Sequence, residues 1–202
     1  RRSSDLKNGI WVGDYIYEDL HEDGVIDEKD RTFLGNPAPK FTFGFNNYFA
    51  YKGFDLNIFL NGSVGNKAVN LIRRTFTDPM RNSNLLKEAT DIALIGMHDP
   101  EVGDEELSNV YIVNADRAKV QRVTTSSAND NNRISSRFIE DASYLRIKNI
   151  SLGYTFPRKW LRHLQIDNIR LYVNIQNLCT ISGYKGYDPE IGALNYNVLL
   201  RG

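Results

Sequence analysis

The strongest constraint on the fold is a regular alternation of apolar and polar residues in four stretches of the chain. In residues 40–51, which read KFTFGFNNYFAY, five aromatic residues share one parity: Phe41, Phe43, Phe45, Phe49 and Tyr51. Side chains of a strand point alternately to opposite faces, so these rings form one nearly continuous aromatic face. Residues 54–61 alternate in the same way after Lys52-Gly53. The two stretches therefore predict a β-hairpin with an apolar outer face and a polar inner face.

A second pair of alternating stretches lies within residues 143–178. Its apolar positions are Ile150, Leu152, Tyr154 and Phe156, followed by Ile169, Leu171, Val173 and Ile175. Pro157 ends the first stretch, and a connection with about one helical turn leads to the second. Leu145 and Ile147 have the opposite parity to Ile150, which predicts a β-bulge near Lys148-Asn149.

This alternation fits either a soluble β-sandwich or the wall of a transmembrane antiparallel β-barrel. Two features favour the barrel: the stretches approach the roughly 9–11 residues of a membrane-spanning strand, and one face is crowded with aromatic rings. The connections also alternate, because those after Tyr51 and Phe156 are short and residues 65–142 form a long polar one. Outer-membrane barrels have short periplasmic turns and long extracellular loops.

On the barrel layout the whole chain belongs to one all-β domain with long extracellular loops. Strands occupy residues 40–64 and 143–178, and residues 1–39, 65–142 and 179–202 are extracellular. The segment 65–142 is too long for a structureless connection, so it is expected to be functional or locally folded. The apolar spacing of residues 85–97 predicts a short surface helix there. Both ends of the chain are expected to be cuts through a longer protein.

Composition excludes several classes of function. Lys and Arg number 25 and Asp and Glu number 25, so the chain lacks the basic excess of a nucleic-acid-binding protein. The single cysteine, Cys179, cannot form an internal disulfide and is expected to be a buried small hydrophobe. His98 and His163 have no partners at metal-ligand spacing, and the serines form no nucleophile motif. The chain is therefore expected not to be an enzyme and to need no organic cofactor.

Residues 19–30 have the spacing of a calcium-binding loop. The candidate ligands are Asp19, His21, Asp23, the backbone carbonyl of Val25, Asp27 and Asp30. Gly24 stands at the sixth position, where such a loop turns sharply. Two residues depart from the pattern: His21 offers an imidazole where an oxygen ligand is usual, and Asp30 replaces a longer glutamate. The alternatives are one structural calcium ion and a solvated acidic turn.

Three further groups are candidates for binding or anchoring. Trp160 is expected to anchor a periplasmic turn at the membrane interface. Residues 183–189 could present aromatic rings to sugars, and the bland alternative is a loop packed against its neighbours or against a partner protein. The polar interior of the barrel is expected to include Asn46, Asp55, Asn57, Asn61, Asn174 and Gln176.

Two long blocks of the chain, with a variable loop between them, carry most of its recognisable sequence. The first, residues 13–66, includes GNPAPKFTFGFNNYFAYKGFDLNIFLNGSVGN, and the second includes FIEDASYLRIKNISLGYTFPRKWL and NIRLYVNIQNLCTISGYKGYDPEIG. In this order the two blocks resemble the SusC/RagA-like TonB-dependent transporters of the outer membrane. The resemblance implies a large plugged barrel of about 22 strands. It also implies a TonB box and plug that precede this chain, and a final strand after Gly202.

The same resemblance implies a function. Such transporters import glycan oligomers or peptides across the outer membrane, work with a SusD-like surface lipoprotein as a lid, and are driven by TonB–ExbB–ExbD through the plug. Outer-membrane lipid would surround the barrel, and no nucleic acid is involved. The alternative is a calcium-stabilised surface β-sandwich that binds a ligand without transporting it.

Overall fold

The computed structural model describes residues 10–104 and 106–190. Its helices and strands are, in order, β1 (Phe41–Tyr51), β2 (Phe54–Val64), β3 (Lys67–Val69), α1 (Leu71–Phe76), β4 (Ile95–Met97), β5 (Val110–Ile112), β6 (Ile139–Asp141), β7 (Tyr144–Thr155), α2 (Arg158–Leu161) and β8 (Arg170–Ser182). Short 3₁₀ turns lie at Glu28–Asp30, Lys87–Thr90, Leu107–Asn109, Ser136–Phe138 and Arg162–Leu164. In this part of the chain no helix has the length and apolar character needed to cross a membrane.

The described residues divide into two compact units. The strand unit contains residues 35–68 and 140–190, and the loop unit contains residues 10–34 and 69–139. Residues 1–9 and 191–202 lie outside the described part of the chain. The predicted extracellular segments 1–39 and 179–202 are therefore described only in part.

The strand unit is built on one open antiparallel sheet with the order β1-β2-β7-β8. Its strands are 11, 11, 12 and 13 residues long. One row of opposite residues, Phe49, Leu56, Leu152 and Val173, shows how the pairing brings apolar residues of all four strands onto one face. The next row, Ala50, Asp55, Gly153 and Tyr172, lies on the other face. The alternation in the sequence is therefore converted into two chemically distinct faces.

The apolar face is exposed on both edge strands of the sheet, β1 and β8. On β1, Phe45 and Phe49 are 57% and 58% exposed, and on β8, Leu171 and Val173 are 63% and 65% exposed. A soluble sandwich buries one face of each strand against a second sheet. In the described residues the remaining strands form only two-stranded pairs, β3 with β6 and β4 with β5.

Local backbone features set the register of the sheet. Lys52 and Gly53 both have positive φ, 46° and 89°, which is the conformation of a tight two-residue hairpin turn. The pairing of β7 shifts between Ile147 and Asn149, and on β8 Asn177 has a φ of 51° at the same place. The predicted bulge at Lys148-Asn149 is thus confirmed.

The last strand is longer than predicted. Alternation was expected to end at residue 178, but β8 continues to Ser182, and Cys179 pairs with Ile147. Cys179 is exposed and not buried, because it lies on the apolar face of an edge strand. The continuation is hard to read from the sequence because Asn177 and Leu178, which lie opposite Lys148 at the bulge, interrupt the alternation of apolar and polar residues. Cys179 and Ile181 then resume the parity of Ile175.

The loop unit has a small core around Phe138 and Val69, which are 1% and 3% exposed and pack with Ile134 and Ile139. Asn70 caps α1, since its side chain accepts a hydrogen bond from the backbone N–H of Arg73 at 2.9 Å. The helix predicted for residues 85–97 is wrong: that stretch forms the 3₁₀ turn Lys87–Thr90 and then β4, which pairs with β5. The segment 65–142 does contain its own folded structure.

Candidate functional site on the polar face of the sheet

The polar face of the sheet carries hydrogen-bonding and charged side chains from all four strands. The six polar residues predicted for an inward face alternate with the apolar positions: Asn46, Asp55, Asn57, Asn61, Asn174 and Gln176. Asn57 lies opposite Ser151, which lies opposite Asn174. The structure therefore brings these residues onto one face.

Several amides on this face have unused hydrogen-bonding capacity. The side-chain oxygens of Asn57, Asn61 and Asn149 are buried and accept no hydrogen bond from the described residues. Asn149 lies opposite Phe59 on the neighbouring strand, between the rows of Asn57 and Asn61. A buried amide oxygen without a donor costs free energy, so this part of the face is suited to contact with water or another polar surface.

A cluster of charged residues lies at one end of the polar face, near the start of β7. Arg146, whose side chain is only 8% exposed, forms ion pairs with Asp188 at 2.6 Å and with Glu190. Its Nε donates to Thr180 Oγ1 at 2.8 Å, and Lys148 lies 3.4 Å from Glu190. Arg146 is thus held on three sides, and it fixes the segment after β8 against the face.

The segment that Arg146 holds is anchored at two further points. Ser182 donates its hydroxyl to the carbonyl oxygen of Ser143 at 2.8 Å, and the N–H of Lys185 donates to Glu140 Oε2 at 2.9 Å. Tyr187 lies between these anchors and Asp188, and it is 88% exposed. The segment 183–189 therefore packs against its neighbours, as the bland alternative expected, while one of its aromatic rings stays accessible.

A second ion pair lies at the other end of the polar face, next to the short turns. Arg170 on β8 donates to Asp55 on β2, with Nε 3.1 Å from Oδ1. The glycine between them, Gly153 on β7, makes this possible, because a Cβ at that position would lie 2.5 Å from the Arg170 guanidinium. A side chain at position 153 would have to displace this ion pair, so glycine favours the direct contact of Arg170 with Asp55 across β7.

Comparison with known proteins points to one family. No protein-family model matches the chain. The chain is 34% identical over 185 residues, 92% of its length, to the TonB-dependent receptor P3 of Formosa agariphila. It is 26% identical over 177 residues, 87% of its length, to the TonB-dependent receptor SusC of Bacteroides thetaiotaomicron. Solved structures of the RagAB peptide transporter and of the RagAB peptide importer in a closed-closed state superpose on 78% of the chain, with TM-scores of 0.59 and 0.57 and identities of 24% and 25%.

The chain belongs to the SusC/RagA-like TonB-dependent receptors. It covers 16% of the length of the P3 receptor and 15% of the solved transporter chain. The open four-stranded sheet accordingly matches one part of the receptor barrel fold. The relatives are receptors and transporters, which is consistent with the expectation that the chain is not an enzyme.

In this SusC/RagA-like chain the acidic loop is held by hydrogen bonds to its own backbone. Asp30 accepts from the N–H groups of Leu20 at 2.8 Å, His21 at 3.2 Å and Asp27 at 2.9 Å. These hydrogen bonds lower the pKa of Asp30 below its ordinary value, and the bond from the N–H of Asp27 has the largest effect. Asp19 Oδ2 accepts from the N–H of Gly24 at 2.9 Å.

The candidate calcium ligands are not gathered into a ligand shell. In the described part of the chain no three His, Cys, Asp or Glu side chains converge as a metal site would require. Asp23 Oδ1 and Asp27 Oδ1 accept from the N–H groups of Val25 and Lys29, and His21 lies 3.9 Å from Asp30. The geometry is that of a self-capped acidic turn, and calcium at Asp19, His21, Asp23, Val25, Asp27 and Asp30 stays a prediction.

The contacts that build the loop unit were not predicted from the sequence. Arg122 forms an ion pair with Asp14 at 3.0 Å, and the N–H of Tyr15 donates to Asn131 at 3.0 Å. The guanidinium of Arg133 stacks 4.4 Å above the Tyr17 ring, whose pKa burial raises to about 12. These partners are about a hundred residues apart in the chain, and periodicity carries no signal of such pairs.

Proposed function

We propose that this chain forms wall strands and extracellular loops of an outer-membrane barrel that imports nutrients. The observation that carries the proposal is the four-stranded sheet, whose apolar face is exposed and whose opposite face is polar. Lipid tails cover an apolar outer face, and a polar lumen suits a hydrated solute. The strands, at 11 to 13 residues, are long enough to cross a membrane.

The complete receptor is proposed to be a plugged barrel of about 22 strands. The open edges at β1 and β8 require neighbouring strands, because an unpaired edge in lipid leaves backbone groups without hydrogen bonds. Import is proposed to be driven by TonB–ExbB–ExbD through the plug, with a SusD-like lipoprotein as the lid.

Glycan oligomers and peptides are both retained as proposed substrates. The names of the relatives include a peptide transporter, and that name describes only the relative. On this chain the exposed ring of Tyr187 and the amide-rich polar face suit either solute, because sugars and peptides both offer hydrogen-bonding groups and apolar faces.

A calcium ion in the loop 19–30 is a separate proposal. Gly24 donating to Asp19 gives the sharp turn that such loops need. Isothermal titration of the metal-free full-length receptor with calcium tests it, using Asp23→Asn and an exposed acid outside the loop, Asp116→Asn, as a matched pair. Loss of the binding heat in Asp23→Asn alone would support a calcium site in the loop. Equal heats for the wild type, Asp23→Asn and Asp116→Asn would refute it.

The function is tested on the full-length protein extracted from membranes. We expect it to require detergent, to change gel mobility on boiling, and to co-purify with a lipoprotein. Deletion of its gene should abolish growth on one class of glycan or peptide and leave growth on free monomers unchanged. A water-soluble protein with the same mobility before and after boiling would instead support the ligand-binding sandwich.

A further inference from the structure

An aromatic ladder leads from the apolar face of the sheet to the turn after β7. Ring centroids are 4.5 Å apart between Phe54 and Tyr154, 5.0 Å between Tyr154 and Phe156, and 6.3 Å between Phe156 and Trp160. Trp160 at its end is 62% exposed. Aromatic rings concentrate where a barrel meets the headgroup layer, so on the proposed function this turn lies at the membrane interface.

The same turn is held rigidly. Leu161 is 4% exposed, the N–H of Trp160 donates to the carbonyl of Pro157 at 3.0 Å, and the N–H of Phe156 donates to the carbonyl of Ile169 at 3.0 Å. The side chains around Trp160 therefore stand on a fixed backbone. Presenting them to a ligand costs less conformational entropy than it would from a mobile loop.

Basic residues flank the exposed tryptophan in the sequence of this turn. Arg158, Lys159 and Arg162 are all exposed, and the nearest acid in sequence, Asp167, pairs with Arg158 at 3.0 Å. Among the described residues neither Lys159 nor Arg162 forms an ion pair. Lys52 adds a cation to the β1–β2 turn, whose Gly53 carbonyl accepts a hydrogen bond from the N–H of Thr155, at the end of β7, at 2.8 Å.

We propose that Lys159, Arg162 and Trp160 form a docking site for an anionic phospholipid headgroup in the periplasmic leaflet. The two cations match the phosphate charge, and the indole ring packs at the level of the headgroup and glycerol. A zwitterionic headgroup has no net charge to match the cations. This proposal rests on the proposed function, which places the turn at the periplasmic membrane interface. It adds that the turn binds a specific class of lipid there.

The test uses the full-length receptor in detergent, titrated with phosphatidylglycerol and separately with phosphatidylcholine, and bound lipids are counted by native mass spectrometry. The wild type should prefer phosphatidylglycerol. Lys159→Gln/Arg162→Gln should weaken phosphatidylglycerol binding about 25-fold, or about fivefold per cation. The control Lys87→Gln/Arg117→Gln removes two exposed cations of the loop unit and should leave binding unchanged.

The site would be overturned if the wild type bound the two lipids equally, or if the control variant lost as much phosphatidylglycerol binding as Lys159→Gln/Arg162→Gln. Competition by glycerol 3-phosphate, which has the charge without the acyl chains, would also overturn it. Trp160→Ala gives a second variant with all charges retained, and it should also weaken phosphatidylglycerol binding. Heat-modifiable mobility is measured on every variant. If the wild type shows heat-modifiable mobility but no lipid preference, only the docking site is refuted. If the wild type shows no heat-modifiable mobility, the barrel proposal itself is refuted.

Discussion

On the polar face, the side chain of Arg146 is 8% exposed and that of Arg170 is 41% exposed. The difference reflects their surroundings, because Arg146 is covered by the segment that it binds through Asp188 and Glu190. Removing one partner of a shielded ion pair leaves charges that are poorly solvated. Arg146 thus supplies the ion pairs that hold Asp188 and Glu190 on the sheet, in addition to the anchors at Ser182 and Lys185.

Arg146→Gln should release that segment. We expect a loss on the order of 1–3 kcal/mol in its local stability, below the value for a fully buried pair because Glu190 is 36% exposed. The measurement is hydrogen exchange of residues 183–190 in the full-length receptor. Arg158→Gln breaks a pair whose side chains are 78% and 93% exposed, so it should change exchange very little. Equal exchange in both variants would show that Arg146 does not hold the segment.

Asp30 predicts a pH dependence in the acidic loop. Its pKa is lower in the folded loop than in an unfolded chain, so its contribution to stability is complete above the unfolded value of about 4 and is lost as pH falls through the folded value. Limited proteolysis between residues 19 and 30 should therefore accelerate in acid. Asp30→Asn should already be cleaved faster at neutral pH, and Glu28→Gln, in the same turn and 85% exposed, should not. Matching cleavage rates for the two variants would refute the role of Asp30.

At the scale of elements, the strands are predictable from sequence because their signal is local. Alternation of period two locates β1, β2 and β7 closely, and a break in parity locates the bulge. The end of β8 is harder to locate, since the polar Asn177 and the apolar Leu178 interrupt the alternation at the bulge before Cys179 and Ile181 resume it. The loop unit is different: Tyr15 and Asn131 are brought together only by tertiary packing, so no local pattern predicts them.

The bulge makes a prediction at position 177. Asn177 has a φ of 51°, a left-handed conformation that asparagine tolerates and β-branched residues do not. Asn177→Val should destabilise the assembled barrel by about 1–2 kcal/mol, whereas Asn177→Gly should be close to neutral. The midpoint temperature of the heat-dependent gel shift measures both. Two variants with the same midpoint would mean that the backbone at this position is not left-handed in the barrel.

At the scale of the whole molecule, the two faces of the sheet should meet different solvents. Val173 and Asn174 are neighbours in the first half of β8 (Arg170–Ser182), and they belong to opposite faces. Val173 lies in the row with Leu152, and Asn174 lies opposite Ser151. In a barrel the first residue contacts lipid and the second contacts the polar interior. In a soluble protein neither position would meet lipid.

One pair of arginine substitutions separates these cases. An arginine at the lipid face costs about 2–4 kcal/mol at the middle of the membrane and less toward its edges, while a lumen-facing one is tolerated. Val173→Arg should therefore reduce the amount of heat-modifiable receptor in the outer membrane, and Asn174→Arg should leave it nearly unchanged. The reverse order would place the apolar face inward, and similar assembly of both variants would contradict a lipid-facing surface altogether.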